Sequence, residues 1–114
     1  MTAFRKNQSK VEMHRLPPDA LLEEAKVWTV GAIKYPDSPD GTANWEKLWG
    51  DKTLAICLDS LMRHTLAIQR GEVRDPETGL PHAAHARCNL AMIIRYQLQQ
   101  EELHPALVPN TPHI

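Results

Sequence analysis

A chain of 114 residues has room for one small domain, because a second core would lack the apolar surface to stabilise it. Its 13 Lys and Arg stand against 14 Asp and Glu, a balance that excludes broad electrostatic binding to nucleic acid or anionic lipid. No apolar run approaches the roughly 20 residues that span a bilayer, and the polar opening MTAFRKNQSK lacks the apolar stretch of a secretory signal, so a cytoplasmic protein is expected.

A domain of this size buries roughly 65% of its unfolded surface, which makes self-association a useful supplement to its stability. Residues 1–16 show no sustained periodicity and read as a mobile arm. Pro17-Pro18-Asp19 then offers a helix start, since proline suits the first turn and Asp can accept from free amides. Glu23 and Glu24 complement the positive end of the helix dipole. Leu21, Ala25, Trp28 and Ala32 recur at helical spacing, with Leu22, Val30 and Ile33 on a neighbouring strip, and place a first helix at about 19–34.

The next sixteen or so residues, YPDSPDGTANWEKLWG, form a turn-rich loop. Loops that long in compact domains are usually functional or disordered, and two tryptophans argue against disorder. Asp51 or Thr53 can cap a second helix running to about Arg70. Leu54, Leu58, Leu61, Thr65 and Ile68 mark its inward side, with Cys57 and His64 beside them, and Gly71 is a C-terminal stop. The linker 72–80 contains Asp75-Pro76-Glu77-Thr78-Gly79, which should turn tightly. A third helix, about 81–102, is apolar on more than one side and alanine-rich at its start. Residues 103–114 form a proline-rich tail. There is no strand-like alternation, so the expected class is all-α: a small bundle of three helices over a single domain, 17–102, completed by oligomerisation.

Six histidines are more than a chain this short needs for packing. His14, His104 and His113 lie in the flanks, but His64, His82 and His85 cluster with linker carboxylates Glu72, Asp75 and Glu77. His82, His85 and Asn89 share one face of the third helix. His64 lies on the inward side of the second, and antiparallel packing brings the end of the second helix to the start of the third. Neutral imidazole together with carboxylate oxygen suits Mn, Zn, Fe or Ni, whereas Mg would rest on the carboxylates. The same residues equally suit a hydrogen-bonded network that pins the helix junction, because His-x-x-His is a weak pattern. Lys34 and Tyr35, with Asn44 and Trp45, bracket the long loop and could serve phosphate and base, or simply pin the loop by tryptophan burial. Arg63 could clamp a phosphate or pair with Asp59. Cys57 and Cys88 lack CxxC spacing and read as buried free thiols of a reducing compartment. There is no phosphate-loop, dinucleotide-binding or nucleophile-elbow motif.

Four blocks occur in order: GAIKY (Gly31–Tyr35), Asn44-Trp45, LMRH (Leu61–His64) and RGEVRDPETGLPHAAHARCN (Arg70–Asn89). Over about residues 16–97 they resemble the phage and bacterial family of dATP/dGTP diphosphohydrolase N-terminal domains. The resemblance implies kinship with the all-α pyrophosphohydrolases of the MazG type. Those are oligomers that use a divalent metal to cut a nucleoside triphosphate into monophosphate and pyrophosphate. The paired ExxE and ExxD carboxylates of that type are missing here, and His64 with His82 and His85 stand roughly where they would be.

On this reading the expected substrate is a purine deoxynucleotide and the cofactor Mg, Mn or Zn. The metal shell is His64, Asp75, His82 and His85. Glu72, Asp75 and Glu77 act in catalysis, while Lys34, Tyr35, Asn44, Trp45, Arg63 and Asn89 bind substrate. The rivals are a non-catalytic nucleotide- or metal-binding module and a structural protein whose histidine–carboxylate cluster only joins helices.

Overall fold

The computed structural model describes residues 10–47 and 51–109, with the side chains of residues 51 and 52 excepted. Trp49, Asp51 as a cap, His113, most of the expected N-terminal arm and the end of the tail therefore lie outside the described residues or side chains. Three helices carry the fold: α1 (Pro18–Lys34), α2 (Asp51–Gln69) and α3 (His82–Leu103). Each boundary lies within two residues of its expected place. Single 3-10 turns occur at Met13–Arg15, Asn44–Lys47 and Pro105–Leu107. The class is all-α, and pairing outside helices among the described residues is the isolated bridge between Arg74 and Pro81.

Local chemistry sets the boundaries. Pro18 occupies the first turn of α1, where its missing N–H costs nothing, and the Asp19 carboxylate accepts from the Ala20 amide at 2.9 Å. Helix α2 ends in the double bond pattern that a left-handed residue permits: Gly71, at φ 88°, donates to Ile68 O, and Glu72 donates to Ala67 O. A side chain with a Cβ would be strained there.

Helix α3 is central and packs on both α2 and α1, as its two-sided apolar pattern implies. The seams are lined by small residues, which lets the backbones approach closely. Ala84 and Ala67 are 3% exposed, and Val27, Cys57, Cys88 and Ile93 are also buried. On α2 the inward side differs from the expectation. Cys57 and Ala67 are buried with Ser60, Leu61 and His64 half-buried, whereas Leu58, Thr65 and Ile68 are exposed. On α1 only Val27 is buried, with Glu23, Glu24 and Trp28 half-buried; Leu21, Leu22, Val30 and Ile33 face outward. The reason is geometric. Helix α1 has one main neighbour, α3, and a single helix seam covers only a narrow strip of its surface.

The candidate metal centre

The linker between α2 and α3 folds back on itself and delivers its carboxylates to the histidines. Asp75 N donates to Leu80 O, Gly79 N to Asp75 O, and His82 N to Val73 O, all at 2.7–2.8 Å. Gly79 (φ 73°) supplies the left-handed residue that this turn needs. The Arg74 guanidinium closes the turn on Gly79 O. His82 and His85 then emerge from the first turn of α3, facing His64 from the last turns of α2.

His64 Nδ1 lies 2.8 Å from His82 Nδ1, and ligand atoms of His64, Asp75 and His82 all lie within 4.8 Å of one another. Donors bound at about 2.0 Å to one tetrahedral ion stand roughly 3.3 Å apart, so this edge is of the right scale. His82 is buried, and its Nε2 has no hydrogen-bond partner among the described residues. Glu72 Oε1 is 3.3 Å from that nitrogen but out of line for a hydrogen bond. That is the geometry of a carboxylate waiting to accept from an imidazole whose other nitrogen is a ligand. The residues present therefore fit a divalent cation with mixed nitrogen and oxygen donors.

His85 stands outside that triad. Its ring stacks on His64 at 4.6 Å between centroids and 6° between planes, and its Nε2 contacts the Thr78 hydroxyl at 2.7 Å. Asp75 Oδ2 is 4.0 Å away and receives the Thr78 amide and hydroxyl. Burial holds the His64 imidazole below its ordinary pKa, reinforced by His85 and His82 against the pull of Asp75. Burial lowers His85 as well, against Asp75. Burial would push the Asp75 carboxyl up, but the Thr78 amide and hydroxyl, with His85 and His64, outweigh it and hold the group low. Neutral imidazoles beside a carboxylate are the protonation states that a cation requires.

These directions set a pH profile for the metal-free chain. The unfolded histidines take up protons near pH 6.5, while the folded ones resist to lower pH. Their contribution to stability is complete above about pH 6.5 and is lost as pH falls through the folded values, with Asp75 adding a second loss below about pH 4. Urea melts at pH 7.5, 6 and 5 should show a falling midpoint; a midpoint that holds or rises at pH 5 contradicts it.

The other expected site residues are spread around this core. Lys34 Nζ pairs with Glu77 Oε1 at 3.1 Å, tying the end of α1 to the linker, and sits 5.6 Å from the Tyr35 ring centroid. Trp45 packs against Trp28 at 5.3 Å, and Asn44 opens the 3-10 turn beside it. Arg63 is exposed and makes no ion pair with Asp59. Asn89 is buried in the α2–α3 seam, donating to Ser60 Oγ and His85 O.

Three features were missed at the level of sequence. Thr78 joins Asp75 to His85; its place three residues after an Asp in a Pro- and Gly-containing turn was the available signal. Trp28 is the partner of Trp45. Glu24 does more than complement a helix dipole: it accepts from Trp28 Nε1 and Arg87 Nε, both at 3.0 Å. The thiols are buried, and burial pushes Cys88 up to about 12, which removes it as a nucleophile.

The family model described as dATP/dGTP diphosphohydrolase, N-terminal, matches residues 1–106. The dATP/dGTP diphosphohydrolase of Salmonella phage PMBT28 is 36% identical over 93 residues, covering 82% of this chain. The chain spans only 29% of that relative's length. No solved structure matches.

Proposed function

Because the chain belongs to the dATP/dGTP diphosphohydrolase N-terminal family, we propose that it takes part in metal-dependent cleavage of dATP or dGTP to the monophosphate and pyrophosphate. The observation that carries the proposal is the His64–His82–Asp75 cluster, with donor atoms within 4.8 Å of one another at the junction of α2 and α3. These three residues would hold a divalent cation, Mn or Zn suiting two imidazoles better than Mg. Such an ion, when bound, acidifies water and neutralises phosphate charge.

The chain's own residues supply the rest. With the ion bound, Glu72 would accept a hydrogen bond from His82 Nε2 and fix that ring's tautomer. The exposed guanidinium of Arg63, one residue from His64, takes a phosphate in bidentate fashion. Lys34 exchanges Glu77 for a phosphate oxygen, and its release leaves Glu77 free to take the proton of the attacking water. Trp45, backed by Trp28, offers an aromatic face to the base, with Tyr35 and Asn44 at the edge. Asn89 acts from within the fold by joining the helices.

We also propose that the chain works as a homo-oligomer. Leu58, Met62 and Leu66 on α2 and Leu90, Ile94 and Leu98 on α3 are exposed at i, i+4 spacing, an extent of apolar surface that favours burial against a second copy. No helix among the described residues is long and apolar enough to cross a membrane, so that surface is not a bilayer span.

Pyrophosphate release from each of the four dNTPs, with Mn or Mg, tests the activity, on protein whose solution mass has been measured. Release is expected with dATP or dGTP; none from any dNTP would remove the hydrolase reading, and a monomeric mass the oligomer. A second reading, a helix junction without an ion, has one observation in its favour: the 2.8 Å His64–His82 contact already serves as a hydrogen bond if one nitrogen is protonated. Calorimetric titration with Mn separates the two.

A further inference from the structure

The Thr78 hydroxyl is in contact with both Asp75 and His85. A hydroxyl has one proton to donate and two lone pairs to accept with. Here all three are used. Leu80 N donates to Oγ1 at 3.2 Å, Oγ1 donates to Asp75 Oδ2 at 3.2 Å, and His85 Nε2 lies 2.7 Å away. With its proton committed to the carboxylate, Oγ1 can only accept from His85. The imidazole therefore carries its proton on Nε2 and keeps the Nδ1 lone pair. The amide of Thr78 also donates to Asp75 Oδ2, at 3.0 Å, so the turn survives without the hydroxyl but the link to His85 does not.

Two of the three cluster residues adjoin this bridge, and Asp75 Oδ2 accepts from the hydroxyl as well as from the Thr78 amide. Asp75 is held directly, and His64 rests against the His85 ring, stacked at 4.6 Å. We infer that Thr78 is a positioning residue: its hydroxyl sets the pose of Asp75 toward His64 and His82, and fixes the tautomer and orientation of the His85 ring against which His64 stacks. The inference rests on the metal-centre reading in its consequence for ion affinity, but its tautomer statement stands without any ion.

The test uses the 114-residue chain. Long-range nitrogen–proton NMR spectra of metal-free protein at neutral pH should show His85 protonated on Nε2; a proton on Nδ1 would overturn the inference whatever the ion does. Thr78→Val keeps the shape of the side chain and removes the hydroxyl, and Thr78→Ser restores it. Titration with Co(II), followed by calorimetry and by the visible absorption bands of the bound ion, should weaken about 10- to 100-fold in T78V. In T78S the affinity should return to within about threefold, with the wild-type bands. Equal affinity and spectra in wild type and T78V overturn the inference. Wild type that binds no Co(II) removes the metal-centre reading and leaves the tautomer measurement to decide on Thr78. Should T78V fail to fold, the wild-type tautomer remains decisive.

Discussion

His82→Ala is expected to lower Mn or Co(II) affinity by more than the roughly 10- to 100-fold cost of losing an outer partner, while leaving the metal-free chain nearly as stable as before. The two halves of that result have separate causes. His82 would supply one of the two nitrogen donors, so its loss leaves His64 and Asp75 alone. The imidazole is also buried with an Nε2 that no group among the described residues satisfies, which in the metal-free chain costs about 1–3 kcal/mol. Deleting the ring relieves that cost while it opens a cavity and gives up the 2.8 Å contact with His64 Nδ1, so the effects oppose each other. Thermal melting of metal-free protein, paired with an ion titration, reads both. If the cluster were only a helix pin, the outcome would invert: a marked drop in melting temperature and no change in ion binding.

Much of this arrangement was legible in the residues. Periodicity, Gly71 and the Pro18 start placed three helices, because those signals are local and each has a steric cause. The convergence of His64, His82 and Asp75 was also legible, since a short linker between antiparallel helices leaves few ways to arrange their facing ends. What sequence could not supply was the choice of helix face. Leu22, Val30 and Ile33 are as apolar as any core residue, yet Val27 and Trp28 are the side chains that α3 reaches. Periodicity says that a helix has an apolar stripe, but not whether its own chain or a second copy covers it. The same limit applies to polar groups. Asn89 shares the histidine stripe by spacing and is expected to bind substrate, while in the fold Ser60 lies opposite it in the α2–α3 seam and takes its amide. Residue spacing gives the face, and the partner's register decides the bond.

The partner's register also decides the role of Glu24, and that role carries the second large effect. Glu24→Ala should lower the stability of the chain by about 2 kcal/mol and its melting temperature by roughly 8 °C. The carboxylate is 18% exposed and accepts from two groups on different helices, Trp28 Nε1 and Arg87 Nε. Its removal leaves the indole N–H and the guanidinium unpaired in the seam that holds α1 to α3. The Arg87 side chain is 38% exposed, so solvent screens that pair and it contributes less than a buried ion pair would.

The consequence should reach Trp45, because Trp28 is the ring against which it packs. Glu24→Gln separates the parts. An amide oxygen still accepts from Trp28 but no longer pairs with a cation, so about half of the lost stability should return. A cycle with Arg87→Ala then isolates the ion pair, expected to couple by less than about 1 kcal/mol. Thermal and urea unfolding of the four variants gives these numbers. A Glu24→Ala chain as stable as wild type would show that the polar bridge across the seam adds nothing to the apolar packing of Val27, Ala84 and Cys88.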